Sequence, residues 1–119
     1  NKKSYWGAWI RDRIANQLSQ IRHWELIEGY YTTAPDIEAT WFIDPPYVTA
    51  GKNYRFGSKL LDFEKLGEWC KTRKGQTMVC ENVGATWLPF SPFREIQARS
   101  IGPGLRVSKE ALWYSPMKG

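Results

Sequence analysis

The sequence has no long apolar run, a single histidine and only two cysteines. A membrane-crossing helix needs about 20 consecutive apolar residues. The longest unbroken stretches here, such as Trp41-Phe42-Ile43 and Ala111-Leu112-Trp113-Tyr114, fall far short. Neither a spanning segment nor a signal-peptide pattern is therefore expected. His23 is the sole imidazole, and Cys70 and Cys80 lack the close spacing of zinc ligands. That scarcity points away from a metal site and from a disulfide framework, and toward a reduced, cytoplasmic setting. Internal repeats and low-complexity stretches are also missing.

Acidic residues are the scarcer charge: 12 Asp and Glu against 17 Lys and Arg leave a net charge of +5. The balance suits a polyanionic partner, although it also describes an ordinary basic domain. What the chain has in plenty is aromatic residues, including seven tryptophans in 119 residues. This length allows at most one domain with a modest core. An incomplete domain of this composition would leave apolar surface exposed unless something covered it.

Hydrophobic spacing suggests the elements. Ser4 can cap a helix over 5–21, with Trp6, Ile10, Ile14, Leu18 and Ile21 on one face. Trp24–Ile27 reads as a short strand, and Thr40–Ile43 as a central strand of three large buried residues. Asp62 is an N-cap for a helix reaching about Arg73, with Phe63, Leu66, Trp69 and Cys70 on its apolar face. Lys71, Arg73 and Lys74 complement its C-terminal dipole, and Gly75 ends it in a left-handed conformation. Gln76–Cys80 reads as a strand parallel to the first. Phe93–Arg99 and Lys109–Ser115 read as two more, joined through the Gly102-Pro103-Gly104 turn.

The chemistry concentrates at Asp44-Pro45-Pro46-Tyr47, directly after Trp41-Phe42-Ile43. The prolines cannot donate to a ladder, so the strand stops there. Asp44 precedes a proline and is held extended. The outcome is a stiff peptide at the C-terminal end of a strand, where open α/β sheets bind ligands. An exocyclic amine such as adenine N6 is a poor nucleophile because its lone pair is delocalised. Two acceptors, the Asp44 carboxylate and the Pro45 carbonyl, would favour a more tetrahedral nitrogen, with Tyr47 stacking on a flipped base. Next comes a loop over 48–58 in which Lys52 and Arg55 suit phosphates and Tyr54 and Phe56 suit bases. Its composition suits a lid or substrate clamp, and the other reading is a solvated loop with two buried anchors. Glu81 and Asn82, at the end of the next parallel strand, are placed to line the same pocket.

The Asp44–Tyr47 tetrapeptide resembles the catalytic motif of amino-group methyltransferases that use S-adenosylmethionine. With Ile21-Arg22-His23-Trp24, the run 39–47, Gly75-Gln76 and Cys80–Phe90, residues 20 to 115 are similar to small bacteriophage-type DNA adenine-N6 methyltransferases. The resemblance implies a Rossmann-like α/β methyltransferase fold closed by an antiparallel hairpin. It also implies adenine-specific methyl transfer to double-stranded DNA in a bacterial or phage-infected cell. Asp44, Pro45, Pro46 and Tyr47 are the implied catalytic motif, with S-adenosylmethionine as methyl donor and no metal. Because that donor is an activated sulfonium, no tuned general base is required.

The family's Phe-x-Gly-x-Gly cofactor loop has no counterpart here, and the first residue is Asn1. Residues 1–119 are therefore expected to form one partial catalytic domain, a C-terminal portion. Its counterpart would be an N-terminal segment or a second subunit. Where the family carries an acid followed by an aromatic residue near the cofactor adenine, this chain has Tyr30 and Tyr31. Tyr31 and Asp44 are the implied cofactor contacts, with core packing the other reading of both tyrosines. Cytosine N4, RNA, or a nucleic-acid-binding or subunit-pairing module without activity of its own stand as alternatives.

Overall fold

The computed structural model describes residues 7–53, 57–99 and 105–117. The chain divides into two compact units, 1–33 and 34–119.

The first unit is built on α1 (Ala8–Ile21), which starts at an extended Gly7 with no side-chain cap. The expected cap Ser4 and the first stripe residue Trp6 lie outside the described residues. The apolar stripe exists, but no residue of α1 is buried, and Ile14, Leu18 and Ile21 stay exposed. The strand expected at 24–27 does not form. These residues pair with no strand among the described residues, and Trp24, Leu26 and Ile27 are exposed. A short apolar segment keeps strand geometry only with a ladder partner to take up its N–H and C=O groups. The unit ends in a 3-10 turn at Tyr31–Thr33, where the Thr33 hydroxyl donates to the Tyr30 carbonyl at 2.7 Å.

The second unit is a four-stranded mixed sheet. Its strands are β1 (Trp41–Ile43), β2 (Thr77–Asn82), β3 (Ser91–Arg99) and β4 (Leu105–Ser115), in the spatial order β1-β2-β4-β3. β1 and β2 are parallel, with Trp41 opposite Thr77 and Ile43 opposite Val79. β4 runs antiparallel to both of its neighbours, so β3 and β4 form the expected hairpin. Its turn, Gly102-Pro103-Gly104, lies outside the described residues. β1 was expected as a central strand; among the described residues it is an edge.

The parallel connection runs through α2 (Phe63–Lys71). Asp62 caps it as the sequence suggests: its carboxylate accepts from the Lys65 N–H at 3.1 Å. Leu66, Gly67 and Cys70 are buried. Trp69 meets Trp41 edge to face at 5.8 Å, which sets α2 against the Trp41 face of the sheet. Arg73 is more than a dipole partner. Its guanidinium lies 3.9 Å from the Trp69 ring and 5.3 Å from that of Trp41, and its Nε donates to the Trp69 carbonyl. Gly75 has φ 105° as expected, but it serves the return to β2 rather than the helix end. A Cβ there would collide with the Ala39 carbonyl oxygen.

Alternation then divides the sheet into two faces. Thr77, Val79, Glu81 and Ala111 share the α2 face and are buried. Phe42, Met78, Cys80, Leu112 and Glu110 belong to the opposite face. Phe42, expected in the core, is 65% exposed there. With a period of two, three consecutive apolar residues cannot all face one layer.

Candidate functional site

The Asp44–Tyr47 peptide leaves the C-terminal end of β1 beside the corresponding end of β2. Asp44, Pro45, Pro46, Tyr47, Ala50 and Gly51 line an open depression of about 400 Å³. Asp44 is exposed, and no hydrogen bond among the described residues uses the Pro45 carbonyl. The Asp44 carboxylate also acts as a hydrogen-bond partner of the Tyr47 hydroxyl.

The loop after the motif folds back on it. Gly51 donates its N–H to the Tyr47 carbonyl at 2.7 Å, and Gly51 is buried against Pro46. A Cβ at Gly51 would come within 2.7 Å of the Pro46 Cβ, so the close approach needs glycine. The Ser58 hydroxyl donates to the Val48 carbonyl at 2.9 Å. Lys52 sits exposed in the 3-10 turn Ala50–Asn53. Tyr54, Arg55 and Phe56, the other expected nucleic-acid contacts, lie outside the described residues.

Tyr47 is half-buried, and its hydroxyl donates to Glu110 Oε2 at 3.3 Å. Ser108 donates to the other oxygen of Glu110 at 2.8 Å. Burial chiefly, then the charges of Asp44 and Glu110, push the Tyr47 phenol well above its ordinary value. The phenol is thus held in its neutral form. Burial, then the same two carboxylates, also raises the Cys80 thiol. Cys80 is accordingly a thiol, not a nucleophilic thiolate. Asp44, Tyr47, Cys80 and Glu110 thus form one electrostatic neighbourhood. Sequence reading missed Glu110, because only the register of β4 against β2 brings it to the motif.

Glu81 and Asn82 do not line the depression. Glu81 is 1% exposed, on the α2 face. The Asn82 side chain turns to the hairpin, donating to Ser108 Oγ at 3.3 Å and to the Lys109 carbonyl at 3.4 Å.

The two expected cofactor contacts fall in different units. Asp44 belongs to the second unit. Tyr31 belongs to the first, where its ring packs on Tyr30 at 4.6 Å between centroids. Among the described residues, no group of three or more His, Cys, Asp or Glu is placed to hold a metal ion, and no helix is long and apolar enough to cross a membrane.

Compared with known proteins, the chain matches no family model, no curated protein and no solved structure.

Proposed function

We propose that this chain carries the target-base site of a DNA adenine-N6 methyltransferase that draws its methyl group from S-adenosylmethionine. One observation carries the reading: the exposed Asp44 and the Pro45 carbonyl border an open depression of about 400 Å³ at the C-terminal end of a parallel strand, with Tyr47 held beside them. A parallel pair continued by an antiparallel hairpin also accords with the closing end of a Rossmann-like methyltransferase sheet.

The steps that follow from these residues are those at the amine. Asp44 and the Pro45 carbonyl accept the two N–H bonds of adenine N6. The nitrogen becomes more tetrahedral, and its lone pair is freed toward the methyl group. Pro45 and Pro46 fix the peptide so that this geometry exists before the base arrives, which limits reorganisation during transfer. Tyr47, neutral and anchored through its hydroxyl, stacks on the flipped base. Lys52 and the excess of basic residues favour the DNA backbone. The same two acceptors suit cytosine N4 or an RNA base, and product identity separates these substrates. Incubation with S-adenosylmethionine and DNA, followed by mass analysis of nucleosides, tests the reading.

A second reading, a pairing module that completes its site with another polypeptide, draws on the exposed apolar surface. Phe42 and Tyr114 stand out on the open sheet face, and α1 buries none of its residues. Sedimentation of the purified chain distinguishes a monomer from a self-paired form. Salt-dependent DNA binding without transfer would favour this reading over the first.

A further inference from the structure

We infer that Glu81 is a positioning residue for the Asp44–Tyr47 motif, acting from beneath the sheet through the backbone of Val48. The inference rests on the methyl-transfer reading for its consequence in catalysis, but its geometry stands apart from that reading.

Glu81 is a carboxylate of the buried face, 1% exposed. Three N–H groups converge on its two oxygens. Oε2 accepts from the Val48 N–H at 3.2 Å and from the indole Nε1 of Trp87 at 2.9 Å, while Oε1 accepts from the Asn82 N–H at 2.8 Å. No cation pairs with it among the described residues. A carboxylate that only accepts satisfies all three donors. An amide of the same shape cannot: turned either way, its NH2 group faces an N–H.

The three donors come from three places. Asn82 is on β2 itself, Trp87 is in the loop that packs on α2, and Val48 follows Tyr47 directly. Trp87 is itself seated between Phe63 at 5.3 Å and Phe90 at 5.0 Å. The aromatic cluster thus fixes one side of the carboxylate, and the carboxylate fixes the first peptide after the motif. Pro45 and Pro46 provide no N–H, so Val48 is the second residue after them able to anchor the backbone from this side. Tyr47 lies between a bond at Val48 from below and the Glu110 bond from the open face. Loss of the lower bond would free the peptide to shift, and a displacement of about 1 Å at a reacting centre can reduce rate by about a hundredfold.

The test is residue-resolved amide exchange by NMR on the wild-type chain and on Glu81→Gln, with methyl-transfer kinetics alongside. In the wild type the Val48 amide should exchange at least about tenfold more slowly than the Thr49 amide beside it. In Glu81→Gln that protection should fall, while the amides of Leu66 and Val79 keep theirs. Transfer should drop by about ten- to a hundredfold in kcat with KM for DNA changed less than threefold, and Glu81→Asp should not restore it, being too short to reach Val48. Unprotected Val48 in the wild type overturns the inference even if the variant does not fold. So does protection that survives Glu81→Gln, or a loss confined to KM. A wild-type chain without transfer whose Val48 protection depends on Glu81 would defeat the methyl-transfer reading and leave the brace in place.

Discussion

Tyr47 and Glu110, 63 residues apart in sequence, meet through a hydrogen bond from the phenol to Oε2 at 3.3 Å. The bond ties the last residue of the Asp44–Tyr47 motif to the middle of β4. It gives the ring a fixed orientation on the open face of the sheet, and it can be separated experimentally from stacking itself. Tyr47→Phe keeps the ring and loses the bond, so DNA methylation should fall only a few-fold. Tyr47→Ala loses the platform, which is worth about 1–3 kcal/mol per stacked base, and should fall by about ten- to a hundredfold. Steady-state kinetics on the two variants separate these contributions; equal losses would show that the ring is not a platform.

Alkaline pH should weaken the fold, chiefly through two of the three groups among the described residues that hold their protons more tightly on folding. Burial with the nearby carboxylates holds the Tyr47 phenol above its ordinary 10, and burial, partly offset by Arg73, pushes the Cys70 thiol from 9.0 up to about 12. Both bind a proton more tightly folded than unfolded. Their contribution is therefore whole below pH 9, and declines as the unfolded thiol ionises above pH 9 and the unfolded phenol above pH 10. Thermal unfolding followed from pH 8 to 11 should show a falling Tm. The fall should be shallower in Cys70→Ala, whatever that variant's starting stability.

The basic end of α2 should matter for stability rather than for DNA. Arg73 is clamped by Trp69 and Trp41, donates to the Trp69 carbonyl and lies 3.7 Å from Asp36, with its side chain only 7% exposed. Arg73→Ala should destabilise the chain by about 1–3 kcal/mol, read by denaturant unfolding. The salt dependence of DNA binding should be unaffected.

Gly75→Ala should cost more than about 1 kcal/mol, because φ is 105° and the new Cβ would strike the Ala39 carbonyl. Gly84→Ala makes a useful control. Its φ is 104°, but nothing lies within 4 Å of the added Cβ, so its smaller loss in unfolding experiments would isolate backbone strain from collision.

Much of the second unit was legible in the sequence because its signals are local. Asp62 caps α2, Leu66 and Cys70 are buried, Thr77–Asn82 pairs in parallel with Trp41–Ile43, and β3 and β4 form a hairpin. The motif's place at a strand end was legible for the same reason: two prolines end a ladder wherever they occur. The misses depend on what lies alongside a segment. Trp24–Ile27 has strand composition but no strand beside it among the described residues, and Phe42 has core composition but is 65% exposed. Glu81 was expected at the pocket; the phase of alternation turns it to the buried face, where Trp87 and Val48 meet it. Glu110 carries no signal in its own neighbours, since its partner is set by the register of β4 between β2 and β3.

The most direct test of the central claim compares the wild-type chain with Asp44→Ala in the same methyl-transfer reaction, with nucleosides identified by mass. Asp44 is exposed, so the substitution should change stability by less than about 0.5 kcal/mol and leave the fold intact. The account predicts N6-methyladenine in DNA from the wild type and at least about a hundredfold less from Asp44→Ala, as expected for loss of a preorganised acceptor at the reacting amine. N6-methyladenine formed equally by both chains, or by neither, would contradict it.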